Sequence, residues 1–382
     1  MLQASPTRAG LQLGGLSVQT PVVLAPMAGI TNAAFRQLCR EQGAGLYVCE
    51  MITSRGIVER DRKTMRMLQF DPGETVRSVQ LYGVDPQTMA SATEILCNEY
   101  GVAHVDLNFG CPVPKVTRKG GGAALPYKRD RLAAILTATV AAGERHGVPV
   151  TCKTRMGIDA DHLTYLDAGR IAEDAGCAAI ALHGRTAQQA YSGFADWDAI
   201  ATLKAAVSIP VLGNGDIWEA TDALRMVAHT GVDGVVIGRG CLGRPWLFRD
   251  LADAFAGSET RVLPTLGQVA HIVRRHAELL VGLSDERHGL ADLRKHMAWY
   301  FKGFPVGGDI RQSLGLVSSF DELDSALARL DATAPFPVTE LGRPRGRQGT
   351  PRDRVALPAG WLDNTSGCEL DLADAELGIS GG

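Results

Sequence analysis

The stretch HVDLNFGCPVPKVTRKGGGAAL, residues 104–125, decides how the rest of the chain is read. A short apolar strand at 105–107 runs into Asn108 and then into a loop holding Cys111, two prolines and the run Gly120-Gly121-Gly122. Cys111 stands between Gly110 and Pro112. Proline lacks a backbone donor and glycine permits angles that other residues avoid, so neither a helix nor a ladder continues there. The pattern predicts a thiol that points into a cleft at a strand end. Two readings of it stand side by side. Unpaired cysteines are commonly small buried apolar residues. A thiol followed by Lys115, Arg118 and Lys119 has cationic neighbours that tune its acidity, which makes it a nucleophile or a proton donor.

Outward from this stretch the chain repeats one rhythm: a short apolar run, a polar or glycine-rich loop, then residues at helical spacing. The apolar runs fall at 22–25, 46–48, 79–81, 105–107, 148–152, 179–182, 210–212 and 235–237. Leu132, Ile135, Leu136 and Val140, and later Leu224, Val227 and Ala228, carry helical spacing between them. Eight strands alternating with helices predict an α/β fold, a (β/α)8 TIM barrel. A doubly wound open sheet is the alternative. The notable polar residues fall at the C-terminal ends of those strands: Pro26-Met27-Ala28-Gly29, Glu50, Gln80 and Tyr82, Asn108 and Cys111, Lys153 and Arg155, His183 and Arg185, Asn214-Gly215-Asp216, and Gly238-Arg239. Barrel enzymes build their sites on that face from several strands.

The loops LGNGDI and IGRGCLG, after the seventh and eighth strands, are glycine-rich, and the eighth leads into a helical stretch. Barrels bind phosphate there, on backbone N–H groups and a helix N-terminus. A phosphorylated ligand or cofactor across the mouth is the expectation. Lys153 alternates with Thr151 and Arg155 along one strand face. On a buried strand its charge requires an anionic partner, which a reduced flavin or a phosphate supplies. His183 reads either as a core histidine or as a donor to a bound ring.

With 382 residues there is room for a barrel of roughly 250 residues plus an appendage. From about residue 258 four amphipathic segments predict a small C-terminal helical bundle domain: one through Val269, Val273, Leu280 and Leu283, one through Leu290, Leu293, Met297 and Phe304, one at 309–317, and one opened by Ser319 and Glu322. Its polar faces carry Arg274, Arg275, Arg287, Arg294, Lys295, Lys302 and Arg311, with Lys295 and Lys302 seven apart on one helix face. Such charge is either solvated surface or a contact for nucleic-acid phosphates. The expected units are a barrel at 15–257, a helical domain at 258–331, and a tail at 332–382, rich in Pro, Gly and Arg and then acidic, expected to be poorly ordered or loosely docked.

A net charge of −3 excludes a uniformly basic nucleic-acid binder but not a local basic face. The eight cysteines are scattered singly, without CxxC pairs or zinc spacing, so no metal site is expected. No apolar run is long enough to cross a bilayer, and MLQASPTRAG lacks the apolar core of an export signal, so a cytoplasmic protein is expected.

The strings APMAGITNAAFR (25–36), VQLYG (79–83), DLNFGCPVPKV (106–116), VTCKTRMG (150–157), LHGRT (182–186), GNGDI (213–217), IGRGCLGRPW (237–246) and RKHMAWYFKGFP (294–305) together resemble the tRNA-dihydrouridine synthase family, most closely its bacterial B-type. The resemblance covers about residues 15–330. It implies FMN in the barrel, NADPH as reductant and a tRNA uridine as substrate, with no DNA or membrane partner and a monomeric chain. It also implies that Pro26, Met27 and Ala28 touch the flavin through backbone atoms, Gln80 meets the ring edge and Lys153 its N1/O2 side. Asn214, Gly215, Asp216, Gly238 and Arg239 would hold the phosphate. Cys111 matches the proton donor to C5 after hydride reaches C6. Asn108, His183 and Arg185 would line the ring and uracil pocket, Lys115 and Lys119 would ride a closing loop, and Lys295 and Lys302 would meet the RNA backbone. The alternatives are another flavin barrel acting on a free pyrimidine-like molecule, and an RNA-binding barrel without redox chemistry.

Overall fold

The computed structural model describes residues 10–43 and 45–367. A hairpin, β1 (Leu11–Leu13) and β2 (Leu16–Val18), precedes nine parallel strands: β3 (Val22–Leu24), β4 (Leu46–Tyr47), β5 (Ile52–Thr53), β6 (Ser78–Tyr82), β7 (His104–Phe109), β8 (Val150–Arg155), β9 (Ala179–His183), β10 (Val211–Asn214) and β11 (Gly234–Ile237). All eight expected strands are present. The ninth arises because the second barrel strand is split: β4 pairs with β3, β5 pairs with β6, and a parallel bridge from Val48 to Ser78 closes the ring between them. Cys49, Glu50 and Met51 interrupt this strand. Glu50 turns to accept the Gly29 N–H at 2.7 Å instead of continuing the ladder.

Period-two alternation sorts the side chains into two cores. Val22, Leu24, Val79, Leu81, Val105, Leu107, Ile180, Leu182, Val235 and Ile237 face the outer helices. Val23, Leu46, Val48, Ala179, Ala181, Leu212 and Val236 face the barrel axis, where Leu11, Leu13 and Val18 of the hairpin plug the floor. Fully burying side chains of this size contributes about 1.5–3 kcal/mol each. The hairpin is an element the sequence pattern did not reveal. Its strands are three residues long, too short to show a period.

Four helices, Leu266–Leu283, Glu286–Tyr300, Gly308–Leu314 and Phe320–Leu327, form the C-terminal bundle. Ser319 caps the last by accepting the Glu322 N–H, and the Glu322 carboxylate takes the Ser318 N–H at 2.7 Å. The bundle core continues into the barrel through Ala34, Leu38 and Trp246. Gly243 lies so close to the bundle that an added Cβ would stand 2.2 Å from the Trp299 carbonyl carbon. Its φ of +65° also suits glycine.

His276 and His296 are buried in this junction, and Phe35 of the barrel stacks on His296 with centroids 5.8 Å apart. His276 Nδ1 meets the Tyr300 hydroxyl at 3.0 Å. Among the described residues, its Nε2 and both ring nitrogens of His296 meet no hydrogen-bond partner. Burial, with Lys295 nearby, pushes His276 down to about 3, and burial with His276 and Lys295 pushes His296 well below its ordinary value. Both are therefore neutral when folded, whereas the unfolded chain protonates them near the usual histidine pKa of about 6.5. Stability from this pair is complete above that value and is lost as pH falls below it. Replacing His296 with Phe keeps the ring packed and deletes a titrating group. His296→Phe should hold stability at pH 7 to within about 1 kcal/mol and reduce the loss of Tm between pH 7 and pH 5. An unchanged acid slope in thermal melts would contradict this account.

Candidate active site

The same alternation points Gln80, Asp106, Asn108, Lys153, Arg155, His183 and Asn214 toward the axis or the mouth, since each shares parity with an inward neighbour such as Thr151 or Ala181. Below the mouth they form one polar chain. Ser78 Oγ meets His104 Nδ1 at 2.7 Å, and His104 Nε2 meets Thr151 Oγ1 at 2.9 Å. Thr151 Oγ1 and Gln80 Nε2 donate to the two Asp106 oxygens, each at 2.7 Å. Thr151 spends its hydrogen on Asp106, so His104 carries its proton on Nε2 and accepts from Ser78. Burial pushes Asp106 up to about 6, and pushes Lys153 down to about 8 with help from Arg155. Lys153 Nζ makes no hydrogen bond to another described residue. Gln80 has committed one Nε2 hydrogen to Asp106, so its other Nε2 hydrogen and its Oε1 remain for a ligand.

Asn108 builds the cysteine loop. Its Oδ1 accepts the N–H groups of Gly110 and Cys111, both at 3.0 Å, and its Nδ2 points at Met51 Sδ. Asn108 thus shapes the chain that presents Cys111. The Cys111 carbonyl accepts the Ala123 N–H at 3.0 Å, which folds the loop back on itself. Gly121 and Gly122 permit the return: an added Cβ would lie 2.2 Å from the Tyr82 hydroxyl at the first and 2.5 Å from the Cys111 carbonyl at the second. Burial raises the Cys111 pKa, opposed by the Val113 N–H and by Arg155, Arg352 and Lys115, so the group is a protonated thiol at neutral pH. Lys115 is exposed and Lys119 partly so, on the outer side of this loop.

Across the mouth His183 is surrounded by cations. Burial, then Arg155, Lys153, Arg185 and Arg239, hold it well below its usual pKa. Arg155 donates from Nε to the carbonyl of Gly110 and from Nη1 to those of Thr186 and Ala190. Arg185 is locked to Asp216 by two bonds of 2.8 Å and to the carbonyls of Ser192 and Gly193, so it is an internal brace. Arg239 is sandwiched between Tyr191 at 4.5 Å and Trp218 at 5.0 Å. The Asn214 side chain donates to Val236 O at 2.7 Å, and the Asp216 carboxylate also takes the Ala195 N–H. Among the described residues, the backbone N–H groups of Gly215, Asp216, Gly238 and Arg239 meet no protein acceptor. On the opposite rim the Met27 N–H is spent on Thr31, while Ala28 is exposed beside the half-buried Pro26.

The two bundle lysines part company. Lys295 pairs with Asp292 and lies next to Gly29 at the barrel rim. Lys302 lies beyond the helix end at Tyr300, so the two do not share a face. It donates to Pro344 O at 2.9 Å and pairs with Glu340 at 3.1 Å.

Those partners belong to the segment after residue 331, which lies against barrel and bundle through residue 367. Arg345 is 3% exposed and donates to the carbonyls of Leu242 and Trp299, joining barrel to bundle. The chain then crosses the mouth: Arg347 O accepts from Arg239 at 2.7 Å, Arg352 N–H donates to Gln188 O at 3.0 Å, and Arg352 Nη1 donates to Pro112 O. Trp361, 3% exposed, packs with Val355 on Ala123, Ala124, Ile158 and Ala187, and its Nε1 donates to Ala124 O at 3.1 Å. The acidic end after residue 367 lies outside the described residues.

A closed parallel barrel whose C-terminal mouth gathers a protonated thiol, buried cations and unspent amides is the architecture of a barrel enzyme. Residues 23–334 match the family model described as "Dihydrouridine synthase (Dus)", and the chain belongs to that family. It is 55% identical over 388 residues to a "Probable tRNA-dihydrouridine synthase" of Mycobacterium tuberculosis strain H37Rv, covering 100% of this chain and 98% of the relative. It is 39% identical to "tRNA-dihydrouridine synthase B" of Xanthomonas axonopodis pv. citri, covering 83% of this chain and 94% of that one. Among solved structures, a histamine dehydrogenase from Rhizobium sp. 4-9 shares the fold with a TM-score of 0.52 at 11% identity, over 86% of this chain and 65% of that one.

Asn108→Ala removes the acceptor of two loop amides in a part-buried site. We expect a loss of about 1–3 kcal/mol in urea unfolding and faster iodoacetamide labelling of Cys111, read by peptide mass mapping. A labelling rate equal to wild type would show that Asn108 does not hold the loop.

Proposed function

We propose that this chain reduces uridine in tRNA to 5,6-dihydrouridine, with FMN held in the barrel and NADPH as the reductant. The observation that carries the reading is the charge of the mouth. Lys153, Arg155, Arg185 and Arg239 converge on a neutral His183, and only Asp106 and Asp216 oppose them among the carboxylates acting on these groups. Buried cations in excess call for an anion. The unspent amides of Gly215, Asp216, Gly238 and Arg239 suit a phosphate, and the unpartnered Lys153 Nζ suits the electron-rich edge of a reduced ring. The residues present therefore fit FMN, with Gln80 Oε1 and the Ala28 backbone as further contacts.

When bound, a reduced flavin supplies hydride to C6 of the uracil. The rest of the chemistry belongs to the chain. Charge arriving at C6 leaves C5 in need of a proton, and Cys111 is the thiol able to give it: burial keeps it protonated, while Arg155, Lys115 and Arg352 stabilise the thiolate left behind. Its proton is then restored from solvent, so the thiol ends as it began. His183, uncharged, is free to donate one ring N–H to a carbonyl of the base or the ring. A uracil in a folded tRNA must leave its stack to reach this mouth. Lys295 at the rim supplies a phosphate contact, a form of recognition by backbone and shape. The same reading takes the protein as a cytoplasmic monomer without DNA or membrane partners. No described helix is long and apolar enough to cross a membrane.

The reading predicts a yellow protein that NADPH bleaches and unmodified tRNA reoxidises; a colourless protein that FMN cannot reconstitute would overturn it. Cys111→Ala should bind tRNA within a few-fold of wild type and form dihydrouridine roughly 100-fold more slowly, the scale of a lost general acid. Because the acid form is required, wild-type turnover should stay level with rising pH and fall only above the ordinary thiol range.

Lys295→Gln should lower the slope of log K against log salt for tRNA binding by about one contact. Lys302→Gln, whose ammonium serves Glu340, should leave that slope unchanged. Equal effects from both would return Lys302 to the RNA-contact surface.

A further inference from the structure

The family match ends at residue 334, yet the chain after it is built into the mouth, and the Mycobacterium tuberculosis relative matches over the whole of this chain. At its centre Arg352 reaches the cysteine loop. Its Nη1 donates to the carbonyl of Pro112, the residue directly after Cys111. The strap is fixed at that point by a two-way clasp: Arg352 N–H donates to Gln188 O at 3.0 Å, and Gln188 Nε2 donates to Asp353 O at 3.2 Å. Downstream, Val355 and Trp361 bury against Ala123 and Ala124. Ala123 is the residue whose N–H holds the Cys111 carbonyl.

Cys111 is therefore tethered three times: through its own N–H to Asn108, through its carbonyl to Ala123, and through the next carbonyl to Arg352. The first two tethers come from the barrel's own loop. The third comes from a segment more than 200 residues away. The groups acting on the thiol from each surrounding element are Arg155 from β8, Lys115 from its own loop and Arg352 from the strap, beside the uncharged Met51, Tyr82 and Val116.

Resting on the function proposed above, we propose that Arg352 is a positioning residue for the proton donor, holding the Cys111 loop closed through Pro112 and keeping a positive charge beside the thiol as its proton leaves. The strap is then a working part of the mouth. Its anchors, Arg345 on one side and Trp361 on the other, set where the guanidinium stands.

The test uses the full-length flavin-loaded chain and two variants, Arg352→Gln and Arg352→Lys. One readout needs no turnover: the pH dependence of Cys111 alkylation by iodoacetamide, followed by peptide mass mapping. Loss of the cation in Arg352→Gln should move the Cys111 midpoint to higher pH, and Arg352→Lys should keep it near wild type. The second readout is single-turnover reduction of unmodified tRNA after the flavin is reduced with NADPH. Arg352→Gln should slow this step roughly 10- to 100-fold, the scale of a displaced reacting group. Flavin reduction by NADPH and the tRNA KM should stay within about 2-fold of wild type on the same positional argument, and Arg352→Lys should recover part of the rate. A Cys111 midpoint unmoved in Arg352→Gln overturns the proposal. So does a fall in single-turnover rate matched by an equal fall in NADPH-dependent flavin reduction, which would make Arg352 merely structural. A wild-type protein that forms no dihydrouridine overturns the function reading instead, and the alkylation midpoints still decide the role of Arg352.

Discussion

Like charges crowded at a dry barrel mouth repel one another, and much of this chain is arranged to hold them there. Two unit charges 4 Å apart at an effective dielectric of about 20 interact by about 4 kcal/mol. The fold meets that repulsion with carbonyls and aromatic faces more than with carboxylates. Arg155 is held by three main-chain oxygens from two loops. Arg185 is held by two such oxygens and Asp216, and Arg239 by two aromatic rings. Carbonyl dipoles and ring faces fix a cation without cancelling its charge. The loop from Thr186 to Gly193 owes its course to this task. Burial first and then the field of these cations keep His183 neutral, and the mouth is left positive for an anion.

The barrel was legible because its signal is redundant. Each of eight apolar runs, seven of them with a polar side chain at or just beyond the C-terminal end, points to the same architecture, and an error in one would not change the sum. Alternation along β8 also told correctly that Thr151, Lys153 and Arg155 share the inner face. What stayed hidden was anything shorter than a period. The floor hairpin has three-residue strands, and the break in the second barrel strand turns on one carboxylate, Glu50, choosing the Gly29 N–H over the ladder.

Strand-end position picks out candidate residues more readily than it tells what their side chains touch. Strand-end position revealed Asn108, Arg185, Asn214 and Asp216, yet their side chains are spent on the protein: on the cysteine loop, on a brace across the mouth, and on a neighbouring strand. Which face of such a residue is free depends on partners many positions away. Composition says least about the tail. GRPRGRQGTPRDR has no period and few apolar residues, the usual mark of a segment that cannot build a core. It is ordered by single, widely spaced anchors: Arg345 on two carbonyls, Gly346 fitting against Leu242 with φ of +67°, then Val355 and Trp361 in a cluster supplied by the barrel. A segment that borrows its core shows no pattern of its own.

Those anchors tie binding surface to chemistry. Glu219 caps the helix Ala220–Thr230, pairs with Arg244 at 2.5 Å and accepts the Gly342 N–H at 2.9 Å, so barrel and strap share one carboxylate. Arg345 bridges Leu242 and Trp299, where Gly243 already brings the two backbones together. Lys302 then clamps Glu340 from the bundle side. The distance from Lys295 on the bundle rim to Cys111 under the strap is thus set by buried contacts at both ends. A bound polymer touching the bundle would have its reacting base placed by the same frame that places the thiol. Such a frame favours one reach from phosphate to base, because binding energy gained at the bundle is useful to the reaction only where the two are held in register.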